Sequence, residues 1–470
     1  EDGFGDGSYE VLGGSESIQV KDGVASIVIS DDTVELLSVT VTNDSSLLNP
    51  SQIDIDITAE APSGRVDQGS HVSVYMTANG ALYGAGKNDL GQLGNADYLD
   101  KNIPILLKDS GVVDASAGRQ TIYYVLEDGS LHGIGRGTEG QLAGGVNTDH
   151  YESQEMVSES VIRVDGGGLF VLYLKDDGSI WSVGDGFYGQ IGDGSSSARN
   201  TPYEVFSSSI VDFSAGGSHS LFVKDDGTAW GVGRNTEGQL GDGSSADKST
   251  AVQITGLSGN VVSVSAGENY SLFLMEDGSV YSAGENTYGQ LGDGTNSAQP
   301  SPVLVFSGNI TEVYAGSYTS FFMKNDGSVL ATGRNSNGEF GDGNSTDQST
   351  PVEVSSSGIL SIGSWEEMTL FLMSDGRVMG SGYETSGEMA LSSAGFNNYY
   401  TRVETGFPES SAETVDAVSY SVTVLNTNFN PAQGALVTVK FLDSNGDVVN
   451  NENSLEVTLS VNNNAFIESV

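Results

Sequence analysis

The chain has 470 residues, with 63 acidic against 18 basic side chains and a formal net charge of −45. It has no cysteine, which rules out disulfides and thiolate metal sites. Such a charge repels nucleic-acid phosphates and anionic membrane surfaces, and no apolar run reaches the length of a membrane-spanning helix.

Residues 1–14 are glycine-rich and acidic, which fits a flexible arm. Tyr9 and Val11 stand on alternate positions there, so the same stretch also reads as a short donor strand seeking a sheet edge. A start at Glu1, with neither Met nor signal peptide, reads as a processed mature product or a recombinant fragment. From 15 to 63 the pattern is β: 17–20, 24–29 and 36–42 alternate or run apolar, and Ile53, Ile55 and Ile57 alternate with polar residues.

The middle of the chain, 64–406, repeats itself. Glycines at 80, 129, 178, 227, 278, 327 and 376 follow one another at steps of 49, 49, 49, 51, 49 and 49. A second marker keeps the same time: Gly91-Gln92-Leu93, Gly140-Gln141-Leu142, Gly189-Gln190-Ile191, Gly238-Gln239-Leu240, Gly289-Gln290-Leu291, Gly338-Glu339-Phe340 and Gly387-Glu388-Met389. A fixed period of this size marks a repeat architecture. In the fifth copy, 261–264 is β-branched, 270–275 is a buried apolar run, and Asp277-Gly278 turns it onto 279–283. Residues 302–306 supply a fourth strand. Four short strands per copy match a propeller blade, and seven copies close a ring.

After a linker at 407–414, β patterning returns over 415–470: 418–425, 435–441, 455–461 and 465–470, the last carrying Phe466 and Ile467. Each flank is short of the roughly seven strands of a sandwich. Either the flanks complete each other within one chain, or a strand from a neighbouring molecule completes each. In the second case Tyr9, Val11, Phe466 and Ile467 are the contact residues.

The histidines His71, His132, His150 and His219 hold unlike places in their repeats and read as incidental. The Gly-Asp-Gly loops at Asp193, Asp242, Asp293 and Asp342 offer one carboxylate each, so they read as turns before they read as Ca²⁺ sites; Asp2, Asp6 and the turn at Asp443 are similar weak cation candidates. No glycine-rich stretch has phosphate-loop spacing. Tyr83, Trp181, Trp230 and Tyr281 share one slot, expected to be core packing, with a binding rim as the alternative. Asn43, Asn269, Asn309 and Asn344 lie in glycosylation sequons. No catalytic residue, cofactor or metal ligand is indicated.

The A-G-x-x-x-S-L-F-L-x-x-D-G-S-V-Y signature, followed by G-x-N-x-x-G-Q-L-G-D-G, resembles the RCC1-like repeat over about 64–406. The resemblance implies a seven-bladed β-propeller. It leaves function open, because relatives include a nucleotide exchange factor, a plant UV-B receptor and secreted β-lactamase inhibitors. The sequence departs from the family where a tryptophan often precedes the third-strand glycine: Ala85, Ile134, Val183, Val232, Ala283, Thr332 and Ser381 stand there. The seventh repeat has Trp365 in place of a glycine. The receptor's tryptophan clusters and the exchange factor's basic arm have no counterpart. The flanks share S-V-T-V followed by Asn and N-P-x-Q (38–52 and 421–433), and so resemble the opening hairpin of an immunoglobulin-like surface module.

The expectation is an all-β protein, a seven-bladed propeller with flanking β-sandwich modules. It is read as non-enzymatic, secreted or on the cell surface, and structural or adhesive, a self-assembling filament or surface-layer subunit with itself or another surface protein as partner. The alternative is a monomeric protein-binding propeller acting as inhibitor or receptor, with nucleotide exchange behind it.

Overall fold

A computed structural model describes residues 65–402, except 78–79, 96, 375–377, 384–385 and 388–395, together with the backbone of eight strands in the two flanks. Tyr9, Val11, the linker and the turn at Asp443 lie outside the described residues. The chain divides into one unit at Ser63–Gly406 and another formed by Glu1–Pro62 with Phe407–Val470.

The larger unit is a propeller of seven four-stranded sheets, each built from four consecutive antiparallel strands. The blades begin with Arg65–Gln68, Val112–Ala117, Val161–Gly166, Ile210–Ala215, Val261–Ala266, Ile310–Ala315 and Ile359–Trp365. These first strands touch their counterparts in neighbouring blades and are therefore innermost. Blade five shows why the sequence does this. Tyr270–Met275 is buried along its whole length, as a strand covered on both faces must be. Gly278, at φ +78, turns it onto Ser279–Gly284, with Leu274 opposite Val280. Gln299–Ser307 closes the blade with a half-exposed pattern.

Apolar clusters sit between blades. Phe170, Leu172 and Ile180 of blade three pack with Phe213, Phe222 and Val232 of blade four. Blade one closes on blade seven through Val66, Tyr75 and Ala85 against Met368, Leu370 and Val378. The Gly-Gln-Leu marker acquires a physical meaning here. Gly289 (φ +83) lies so close to the outer strand of blade six that a Cβ would stand 2.4 Å from Cα of Ser349. Gly387 makes the same approach to Asn102 of blade one, at 2.5 Å, and so completes the ring.

In the smaller unit the two flanks interleave. One sheet runs Gly14–Val20, Leu455–Val461, Leu37–Thr42, Ser419–Val424; the other runs Phe466–Ser469, Val24–Ser30, Ala435–Leu442, Gln52–Ala59. Neighbours are antiparallel and alternate between amino- and carboxy-terminal flank. Phe466 is paired with Ser30 and Ile467 with Ile29 of the same chain.

Candidate binding site at the mouth of the axial channel

The turn that joins the first and second strands of each blade opens at one end of the axis. The residue after its glycine, or after Trp365 in blade seven, is Ser70, Arg119, Gly168, Gly217, Glu268, Ser317 or Glu366, one from each blade. These seven line a cavity of about 230 Å³, with Leu169, Asp185, Ser218, Tyr318 and Trp365 around them. The turns share one backbone frame, while the residue at this place differs from blade to blade. The frame is structural, and the variation gives the mouth its chemistry.

The innermost strands beneath the mouth are stitched by side chains. Asp67 accepts the N–H of Ala117, Ser116 that of Gly166, Asp165 that of Ala215, Ser214 that of Ala266 and Ser265 that of Ala315, at 2.9–3.1 Å. Nearer the other end, Asp114 and Asp212 accept the N–H groups of Val164 and Val264 and also pair with Arg65 and Arg163, each pair at 2.8 Å. Neighbouring inner strands have no shared backbone ladder, so these bonds satisfy N–H groups that would otherwise be orphaned. Asp165 lies deep in the channel near Asp67, and burial with that second carboxylate pushes its pKa up to about 6.

At the mouth, Glu366 has a left-handed backbone, φ +49. Its N–H donates to Ser317 Oγ at 2.7 Å, and Ser70 Oγ donates to its carboxylate. Glu268 lies over Gly217, where a Cβ would come within 2.8 Å of Oε2. Burial first, then Glu366 and Glu285, raise the Glu268 pKa, opposed by Arg119 and Arg234.

Around this mouth the loops after the third strands display rings and guanidinium groups. Phe187 is 68% exposed and meets Tyr188 edge to face at 4.9 Å. Arg234 lies 5.5 Å over Tyr188, Arg334 lies 5.7 Å over Tyr288, and Tyr288 meets Tyr318 at 5.2 Å. Asn269, a sequon residue, is held between Arg234 (2.8 Å) and Glu285 (3.1 Å).

The aligned slot Tyr83, Trp181, Trp230 and Tyr281 is half-buried against the inter-blade cores, as packing requires. Trp181 and Trp230 donate their indole N–H groups to Ser179 and Thr228. The histidines gather nowhere. His219 is buried, donates from Nε2 to Ser271 Oγ at 2.9 Å, and is driven down to about 3 by burial; His132 stacks on Tyr124. In the Gly-Asp-Gly loops the carboxylates already have donors: Asp193 has Ser195 and Arg199, Asp242 has Ser244 and Lys248, and Asp293 has Thr295 and Gln299. Among the described residues no group of three or more His, Asp or Glu is arranged to hold a metal.

The RCC1-like domain profile matches residues 145–431, more than half of the chain, and the RCC1 repeat profile matches 79–124. The chain belongs to the RCC1-like domain family. Solved structures with the same fold include yeast RCC1 (Prp20) bound to Kap60, 16% identical, TM-score 0.62, covering 86% of this chain and 96% of that one. Prp20p from Saccharomyces cerevisiae, described with its binding to Gsp1p and histones, is 16% identical with TM-score 0.61, covering 83% and 94%. Human WBSCR16 is 19% identical with TM-score 0.57, covering 72% and 89%. No curated protein sequence matches the chain.

The repeat pattern does not point to the mouth of this RCC1-like propeller, because that pattern consists of what the copies share. The signal was available: after the repeated glycine, replaced by Trp365 in the seventh copy, the residue runs Ser, Arg, Gly, Gly, Glu, Ser, Glu, and the next position varies as well.

Proposed function

We propose that this RCC1-like propeller is a non-enzymatic protein-binding module acting outside the cell, with the mouth face as its binding surface. The observation that carries the reading is the set Phe187, Tyr188, Tyr288, Arg234 and Arg334 around the mouth. Aromatic and arginine side chains held by mutual contacts are the groups that dominate protein interfaces, since they bury much area at little conformational cost. Family membership supports a protein-binding or regulatory role in general, and the Kap60 complex is one instance for a relative. The charge of −45 supports a basic or neutral partner over nucleic acid.

The structural or adhesive reading, in which chains polymerise by exchanging strands, finds less support. The strand carrying Phe466 and Ile467 has its partner in the same chain. The test is affinity capture from the native surroundings with wild type, a mouth-face variant (Phe187→Ala with Tyr288→Ala) and an opposite-end control (Val211→Ser). Loss of a captured protein with the mouth-face variant alone is expected. Equal capture by all three overturns the assignment of the face, and polymers formed by the pure protein return the argument to self-assembly.

A further inference from the structure

We propose that the cavity at the mouth is a socket for one cationic side chain, lysine or arginine, presented by the protein partner. The inference rests on the protein-binding reading and names the chemistry of its centre.

Size decides the class of ligand first. A volume of about 230 Å³ equals roughly eight waters of liquid, well below the ~300–1,000 Å³ of sites for drug-sized ligands. It suits a single extended side chain. Charge decides the sign. The lining has three carboxylates, Asp185, Glu268 and Glu366, against one guanidinium, Arg119. Arg119 is exposed and free to turn toward water, whereas Glu268 and Glu366 are largely covered. The Glu366 carboxylate is fixed by Ser70, and its backbone is held in the left-handed region by Ser317. The Glu268 carboxylate has no hydrogen bond or ion pair of its own among the described residues, though it feels Arg119 and Arg234 through space. A covered carboxylate without a bonded partner is costly, and a bound cation removes that cost.

Shape decides the rest. Gly217 has no side chain and lets the Glu268 carboxylate lie directly over it at the cavity wall, where Glu268 keeps part of its surface exposed. Trp365 and Tyr318 also line the cavity, two aromatic side chains suited to a methylene stem and its terminal charge. Trp365 occupies the place that is glycine in the other six repeats, so this ring is particular to blade seven.

The test uses the whole protein labelled with fluorotryptophan. It has three tryptophans, Trp181, Trp230 and Trp365. Their fluorine resonances are assigned with Trp365→Phe. The probes are N-acetyl-lysine methylamide, its neutral norleucine counterpart, and n-butylammonium. A saturable shift of the Trp365 resonance alone is expected with the lysine probe, at about millimolar affinity, and none with norleucine. Glu268→Gln should weaken the lysine probe at least tenfold, and Arg119→Gln should tighten it. The Trp181 and Trp230 resonances report whether each variant is folded. No saturable shift, an equal response to norleucine, or indifference to Glu268→Gln overturns the socket. Response to n-butylammonium without response to the lysine probe assigns the cavity to free amines and overturns the side-chain version. Because these probes ignore Phe187 and Tyr288, the socket can fail while capture by the mouth face stands, and the reverse.

Discussion

Asp165 in blade three accepts the backbone N–H of Ala215 in blade four at 2.9 Å, across a boundary that no backbone ladder crosses. The same carboxylate lies 3.3 Å from Ser116 Oγ, whose single proton goes to Asp67 at 2.7 Å. Two carboxylates thus converge on one hydroxyl inside the channel. Burial and Asp67 raise the Asp165 pKa to about 6, above the ordinary 3.8. A carboxyl whose pKa is raised on folding lends stability below its unfolded value and loses it as pH rises through its folded value. Asp165→Asn keeps an acceptor for Ala215 and supplies a donor to Ser116. The variant should melt a few degrees above wild type at pH 8 and close to it at pH 4. A lower melting point at both pH values would show that the charge itself holds the blades together.

Glu339 carries the same sign elsewhere. It stands where five blades have glutamine, accepts the N–H of Asn337 at 2.9 Å and lies 3.5 Å from Arg334, and burial raises it to about 7. Glu339→Gln retains the acceptor used by Gln239 and Gln290 at the equivalent place. Its stability relative to wild type should improve between pH 5 and pH 8, measured by thermal melts at both. A constant difference across that range would assign the effect to the lost Arg334 contact instead.

Ring closure rests on Gly387, whose added Cβ would come within 2.5 Å of the Asn102 backbone. Gly327 has a similar positive φ, +80, with nothing within 4 Å of such a Cβ. Gly327→Ala should cost about 1–2 kcal/mol, the left-handed penalty alone. Gly387→Ala should cost that and about 1–3 kcal/mol more for displaced backbone. Chemical denaturation of the two variants separates the terms. Equal losses would mean that the approach of blade seven to blade one relaxes freely.

The blades were legible because their signals are local and repeated seven times. Asp-Gly turns, apolar second strands and the Gly-Gln-Leu spacing each follow from backbone conformation or burial within one copy. What lay between copies was not legible. The Asp165–Ala215 bond joins residues fifty apart, and nothing in the spacing says which carboxylate faces the axis. Alternation also misleads on the inner strands: the pairing slips between Val161 and Arg163, and Ile162 is left 47% exposed, as are Val113, Val211 and Val262 nearby in value. The mouth was hidden for a further reason. Its residues obey no motif, and function there resides in the departures from the repeat. In the flanks, each strand was readable from its own pattern, whereas the alternation of the two flanks within each sheet is a long-range pairing.

His219 works against the acids. Its imidazole is buried, its Nδ1 has no partner, and burial with Arg234 nearby holds its pKa at about 3. The unfolded chain takes up a proton near the ordinary 6.5 while the folded chain does not, so this group's contribution is lost as pH falls below 6.5. Phe170 and Tyr270 fill the same slot in the adjacent blades, so a ring without a titrating nitrogen fits there. His219→Phe should gain stability over wild type at pH 5 and little at pH 8. An equal change at both would mean the Ser271 hydrogen bond, not protonation, sets the outcome.

Net charge gives the last expectation. With −45 on the chain, like charges across the surface oppose compaction, and added salt screens them with a Debye length of about 10 Å at 0.1 M. The thermal midpoint should therefore rise with NaCl. Specific cation binding would behave differently, rising steeply at low CaCl₂ and levelling off. Asp193 and Asp242 already hold Arg199 and Lys248, which a calcium ion would have to displace. NaCl and CaCl₂ at matched ionic strength should raise the midpoint by similar, gradual amounts. A midpoint that is flat or falling in NaCl would refute the repulsion argument. A sharp gain at micromolar Ca²⁺ that vanishes with chelator would place a metal site in the loops or in the acidic segments outside the described residues.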